Sequence, residues 1–212
     1  MLWVDMGIVG AQVPIGVGLA FAHKYRNEKK ISRVYVGDGA MNNGQVFEAF
    51  NLASLWSLPV LFIIENNRYG MGTSVNRSAA GNELYERATV FGIKGEKING
   101  MDFFEVSQAA IRARDHIYKN SNPYIIEMDT YRYRGHSMSD PATYRSKDEV
   151  SEMKSNDPVI SMKNKLLKEF KIKEDEIMNI ETNIKKQIKE VENFSLESPF
   201  PELSELFTEV YL

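Results

Sequence analysis

The chain has 212 residues, 43% hydrophobic and 26% charged, with a net charge of −3. That length suits one domain, alone or with an appendage, and can bury a sizeable core. The mild acidity gives no long-range pull toward nucleic acid or anionic lipid, and the lack of cysteine excludes disulfides, thiolate metal sites and a cysteine nucleophile. No apolar run reaches the roughly 20 residues that a membrane span needs. The first residues lack the basic start and apolar stretch of a secretory signal.

In chain order, residues 11–25 read as a helix with small residues, Gly16, Gly18, Ala20 and Ala22, along one face. Another backbone could approach there, as core or as a subunit contact. Ser32 to Val36 reads as a short buried strand ending at Gly37-Asp38-Gly39. Residues 43–56 are amphipathic, with Val46, Phe47, Phe50, Leu52, Ala53 and Leu55 marking the buried side. Leu58 to Ile64 is a continuous apolar run with proline near its start, which suits a central parallel strand. A helix near residues 103–118 precedes a strand from Tyr124 to Met128.

Strand and helix alternate, so the expected class is α/β: a mostly parallel sheet with helices on both faces, followed by a C-terminal helical segment. Composition changes near residue 150. Residues 1–150 are expected to form the α/β core, and 151–212 a helical extension of the same domain. In that extension Ile160, Leu166, Leu167 and Phe170 mark one stripe. Ile177, Ile180, Ile184, Ile188 and Val191 mark another, and each is expected to give its helix one packed side.

The strand–helix–strand unit locates the chemistry. Parallel strands joined by a crossover helix end at the same sheet edge. Asp38 follows the first strand and Asn66-Asn67 the second, so all three project from the carboxyl edge, where open α/β sheets bind ligands. One carboxylate, one amide oxygen and backbone carbonyls form a hard oxygen set suited to Mg²⁺ or Ca²⁺ and unsuited to zinc. Gly37 and Gly39 let backbone NH groups approach a phosphate, and the helix starting near Asn43 points its positive end there. The set asks for a metal–diphosphate. Each part also has a plainer reading: Asp38 as a helix cap, and the asparagine pair as turn chemistry.

Gly-Asp-Gly-Ala-Met-Asn-Asn-Gly (37–44) followed by Glu-Asn-Asn-Arg-Tyr-Gly (65–70) resembles the thiamine diphosphate motif. Gly-Ile-Val-Gly-Ala-Gln-Val-Pro (7–14) and Tyr-Arg-Tyr-Arg-Gly-His-Ser-Met-Ser-Asp-Pro (131–141) narrow the likeness. They resemble the alpha subunits of thiamine-diphosphate-dependent 2-oxo acid dehydrogenases, of the pyruvate dehydrogenase type. The resemblance implies decarboxylation of pyruvate and transfer of the acetyl group to lipoamide, with thiamine diphosphate and Mg²⁺ as cofactors. It implies Asp38, Asn67 and the Tyr69 carbonyl as Mg²⁺ ligands, Gly39 and Ala40 on the diphosphate, and the backbones of Gly7 and Val9 on the aminopyrimidine ring. His136 is implied as the catalytic group near the diphosphate, on a mobile loop, and Ser137 as a position phosphorylated in some members. Implied partners are a beta subunit in a heterotetramer and the lipoyl domain of the dihydrolipoyl acyltransferase. The compartment would be cytoplasm in a bacterium, and mitochondrial matrix or plastid in a eukaryote.

Two departures stand out. Asn43 occupies a position where the family usually has glutamine. The family's long upstream segment, which carries a tyrosine and an arginine for the diphosphate, has no counterpart ahead of Met1. Branched-chain and acetoin relatives are the nearest rivals, but the single histidine of the 133–139 loop favours the pyruvate type. A catalytically incompetent fragment with only a docking role is the rival of another class. A nicotinamide-dependent dehydrogenase lacks its glycine fingerprint, because Gly7-Ile8-Val9-Gly10 has the wrong spacing. Arg132 and Arg134 are expected on one face of a strand end, with Arg132 placed to order the loop. His23 and His116 read as ordinary surface residues.

Overall fold

In the computed structural model, residues 7–81 and 83–208 are described. The chain opens with α1 (Gln12–Tyr25), β1 (Ser32–Gly37), a 3₁₀ turn (Gly39–Asn42), α2 (Gly44–Leu55) and β2 (Val60–Asn66). A two-residue hairpin follows, β3 (Tyr69–Gly70) with β4 (Thr73–Ser74), then two one-turn helices, α3 (Val75–Ser78) and α4 (Glu86–Thr89). Next come β5 (Lys94–Asn99), α5 (Phe103–Asn120) and β6 (Tyr124–Asp129). The helices α6 (Lys147–Ser155), α7 (Pro158–Lys168) and α8 (Glu174–Glu197) follow, and a 3₁₀ turn (Leu203–Phe207) ends the order.

The four long strands form one parallel sheet in the order β1-β2-β6-β5. This is the expected α/β fold, with helices on both faces. Strand alternation builds the two cores. Val60, Phe62 and Ile64 of β2 join Val34 and Val36 of β1 beneath Val13, Val17 and Ala20 of α1 and Val46, Ala49, Phe50 and Ala53 of α2. Leu61 and Ile63 point the other way and meet Ala109, Ala113 and Ile117 of α5. β2 is therefore covered on both faces, which explains its unbroken apolar run. An Asp102 side chain accepting from the NH groups of Phe104 and Glu105 starts α5, and Ser121 ends it in the left-handed region.

The small residues of α1 do not share a face. At 100° per residue Gly16 and Gly18 point nearly opposite ways. Gly16 packs on Val34 with no room for a Cβ, whereas Gly18 has open space. Leu55 is exposed, so the buried side of α2 ends at Ala53. Val60 begins β2, leaving Pro59 just outside it.

The described residues fall into two compact units divided between Ser161 and Met162. In the second, Ile177 is buried, but Ile180, Ile184, Ile188 and Val191 of α8 are exposed. The packed side expected for this helix is thus not covered by the described residues. No helix among the described residues is long and apolar enough to cross a membrane.

Candidate functional site

The register aligns the carboxyl ends of the strands. Gly37 stands opposite Glu65, and Asn66 opposite Asp129, which in turn faces Asn99. Asp38 and Asn67 therefore leave the sheet at one level. Asp38 is only 2% exposed, and its side chain caps no helix. Its Oδ2 is buried without a hydrogen-bond partner. Burial pushes this carboxyl above the ordinary carboxylate range, and Glu127 adds to the rise; backbone NH groups of Asp38 and Asn67, and the Arg132 charge, act against it. A buried carboxylate left short of partners is a demand for a cation.

The turn after β2 meets the Asp38 turn backbone to backbone. A Cβ on Gly39 would lie 3.1 Å from the Gly70 Cα, and one on Gly70 would lie 3.1 Å from the Gly39 Cα and 4.0 Å from the Asp38 Oδ2. A Cβ at either position would push the facing backbone back by a few tenths of an ångström. Between them Arg68 takes a left-handed φ of 72°, a conformation costing roughly 1–2 kcal/mol in a residue other than glycine. Side chains hold it: Asn66 Oδ1 accepts from the Arg68 NH at 3.1 Å, and the Arg68 guanidinium forks onto Asp129 at 3.3 and 3.2 Å. Asn67 Oδ1 accepts a long 3.4 Å bond from the Tyr69 NH. The Tyr69 carbonyl accepts from Arg132 at 3.3 Å. Each of these oxygens keeps a second lone pair.

On the other side of the 3₁₀ turn, the Val9 carbonyl accepts from the side-chain amides of Asn43 at 3.0 Å and Gln45 at 3.3 Å. The shorter side chain at position 43 thus reaches the Val9 backbone. Two donors occupy that carbonyl. Gly7 is exposed.

His136 sits on a folded loop of its own. Its NH donates to Asp140 Oδ2 at 2.7 Å, which also accepts from the Tyr144 hydroxyl at 2.8 Å. Arg132 donates to that hydroxyl at 2.8 Å and to the Met71 carbonyl at 2.6 Å. A relay of side chains therefore runs from the Tyr69 carbonyl through Arg132, Tyr144 and Asp140 to the backbone of His136. Arg145 braces the relay, donating to the carbonyls of Arg132 and Arg134 and lying over the rings of Tyr131 and Tyr144. The His136 side chain is exposed, and no hydrogen bond or ion pair among the described residues joins it to Asp38, Asn67 or Tyr69. Ser137 is exposed and pairs with Ser139 at 3.1 Å.

Among the described residues, no group of three or more His, Cys, Asp or Glu side chains could hold a metal ion. The donor set at this edge is one carboxylate, one amide and one carbonyl. That is few and hard, as Mg²⁺ prefers when phosphate and water complete its shell.

Comparison with known proteins decides the family. The model of the dehydrogenase E1 component matches residues 3–204. The chain belongs to that family. It is similar to proteins named pyruvate dehydrogenase E1 component subunit alpha: 53% identical over 97% of the chain in Rickettsia felis and 51% over 96% in Zymomonas mobilis. A mitochondrial protein of that name from Dictyostelium discoideum is 46% identical over 97% of the chain. The chain spans 63%, 58% and 55% of these three relatives.

Several features of this E1 chain escape its sequence. Arg132 and Arg134 lie beyond the end of β6 at Asp129, so strand alternation does not govern them. Arg132 reaches the Tyr69 turn because the loop folds back. Glu149 of α6 accepts from the hydroxyls of Tyr131 at 2.7 Å and Tyr69 at 3.2 Å, tying α6 to the same turn. His116 is not a plain surface residue: its Nε2 is buried without a partner, its ring lies 5.1 Å from that of Tyr124, and burial, with Lys94 nearby, lowers its pKa. The fully buried Glu127 gives no signal in a strand sequence.

Proposed function

We propose that this chain forms the cofactor-binding part of the alpha subunit of a pyruvate dehydrogenase, decarboxylating pyruvate and passing the acetyl group to lipoamide. The observation that carries this reading is the buried, unpartnered Oδ2 of Asp38 beside the Asn67–Gly70 turn. The family match and the identity to pyruvate dehydrogenase alpha subunits support it.

Asp38, Asn67 and the Tyr69 carbonyl would hold Mg²⁺, and Gly39 and Ala40 would lie along the diphosphate. The backbones of Gly7 and Val9 would seat the aminopyrimidine ring. Thiamine diphosphate supplies, when bound, a carbon nucleophile and an electron sink for decarboxylation. This chain's own part is positional. The Asp38 carboxylate, buried at the sheet edge, would offset part of the metal's charge. Arg132 places positive charge beside the diphosphate and ties down the loop that carries His136. That histidine, at the entrance, would orient and exchange a proton with the reacting group. A phosphate on Ser137 would bring negative charge to this entrance and inhibit. A beta subunit and the lipoyl domain of an acyltransferase are the partners.

The test is calorimetric titration of Mg²⁺–thiamine diphosphate into the chain with its beta partner, followed by carbon dioxide release from pyruvate and from a branched-chain 2-oxo acid. Binding lost in Asp38→Ala, with pyruvate preferred, is the expected result. Preference for the branched acid would move the chain to the rival specificity. No binding by the folded parent would leave a docking role.

A further inference from the structure

Glu127 lies in the middle of the sheet, on β6, and is 0% exposed. It points into the same core as Ile125, a poor place for a carboxylate unless its oxygens are fully engaged. They are. Oε1 accepts from the Asn66 Nδ2 at 2.7 Å, and Oε2 accepts from the Tyr85 NH at 3.0 Å. Lys97, its neighbour on β5, brings its ammonium to 4.0 Å. Both acceptors serve donors, and only a carboxylate offers two acceptors in this shape; an amide would turn a donor toward one of them.

The bond to Asn66 has a direction. With its Nδ2 committed to Glu127, the Asn66 amide must turn its Oδ1 the other way, and that oxygen receives the Arg68 NH at 3.1 Å. Arg68 is the left-handed residue, and the bend at Arg68 determines where Asn67 and the Tyr69 carbonyl face. We propose that Glu127 is a positioning residue for the metal–diphosphate site, acting through Asn66 to hold the Arg68 turn that presents Asn67 and the Tyr69 carbonyl. This role rests on the reading of the site given above. Glu127 touches neither metal nor substrate.

The experiment uses the full chain with its beta partner. Mg²⁺ affinity is read by calorimetry at saturating thiamine diphosphate, next to melting and amide exchange of the cofactor-free protein. In Glu127→Gln, Mg²⁺ affinity should fall at least tenfold while melting stays cooperative, and exchange at the Arg68 and Tyr85 amides should rise. Adding Arg68→Gly should recover most of that affinity, because glycine takes the left-handed turn unaided. A glutamate that only stabilises the sheet would lower the melting point, leave the folded protein's Mg²⁺ affinity unchanged and gain nothing from Arg68→Gly. That result overturns the role. Should Glu127→Gln fail to fold, Asn66→Ser cuts the same link and carries the same two outcomes. Parent binding that these variants leave untouched overturns this role alone. Absence of parent binding overturns the site reading and this role with it.

Discussion

Asp38 and His136 stand at opposite extremes of burial, the one 2% exposed and the other on an exposed loop. The backbone delivers Asp38: β1 ends one residue earlier, the register fixes its level, and two glycines press the neighbouring turn against it. Side chains hold the His136 loop in place, through Arg132, Tyr144 and Asp140, by two part-buried hydrogen bonds and one exposed one. The difference separates two jobs. A metal–diphosphate needs donors that do not move. On the proposed reading an entrance needs a loop that can be let go, and a short run of partly exposed hydrogen bonds, each worth about 1.5–3 kcal/mol where a charged group takes part, gives that.

The comparison breaks first at Asp38. Asp38→Ala should weaken Mg²⁺–thiamine diphosphate at least ~100-fold, about 2.7 kcal/mol, by calorimetry, while the cofactor-free protein melts no lower than the parent. A loss below about tenfold, or an unfolded variant, would mean that Asp38 serves the fold. Asp140→Asn and Tyr144→Phe should do the reverse. Amide exchange over residues 135–142 should rise ~10-fold with Mg²⁺ affinity little changed. Equal effects on loop and metal would merge the two regions into one cooperative unit.

A smaller effect sharpens the contrast through pH. Burial raises the Asp38 carboxyl, so the folded chain keeps this proton after the unfolded chain has lost it. Without cofactor, stability should therefore fall as pH rises from the ordinary carboxylate range through the raised folded value. Asp140 runs the other way: bonds from the His136 NH, the Ala142 NH and Tyr144 lower its carboxyl, so its contribution is present above the ordinary range and lost as pH falls through the folded value. Melting curves of the parent and Asp38→Asn between pH 4 and 8 should diverge as pH rises, the parent losing more. Parallel curves would remove the case for a frustrated carboxylate. Least of all, Ser137→Ala should leave melting and cofactor affinity unchanged, since the Ser137 hydroxyl pairs with that of Ser139 and the carbonyl that accepts from the Asp140 NH is kept.

The parts of the fold that show in the sequence are those in which one residue type does one job. The run Val60 to Ile64 suits a strand buried on both faces, and Gly-Asp-Gly after Val36 suits a sharp exit from the sheet; the structure has both. β5 was hidden because Lys94-Gly95-Glu96-Lys97-Ile98-Asn99 has one buried apolar residue; its pairing with β6 makes it a strand. The Arg132 relay was hidden because its members come together only when the 130–146 loop folds back. Glu127 was hidden because the partners that satisfy it, Asn66 and Tyr85, are distant in the chain. Exposed Ile184 and Ile188 make the converse point: a helical stripe predicts a contact without saying which surface supplies it.

The contact between Gly39 and Gly70 sets a gauge. Two strands of backbone bearing different donors touch with nothing but hydrogen between them, so the bite of the site is defined by the thickness of the main chain itself. A single methyl group at either position would act as a shim. Every donor would still be present and every helix and strand intact, yet the jaws would be set a fraction of an ångström too wide for the Mg²⁺ proposed above, whose preferred oxygen distance of about 2.1 Å allows little slack.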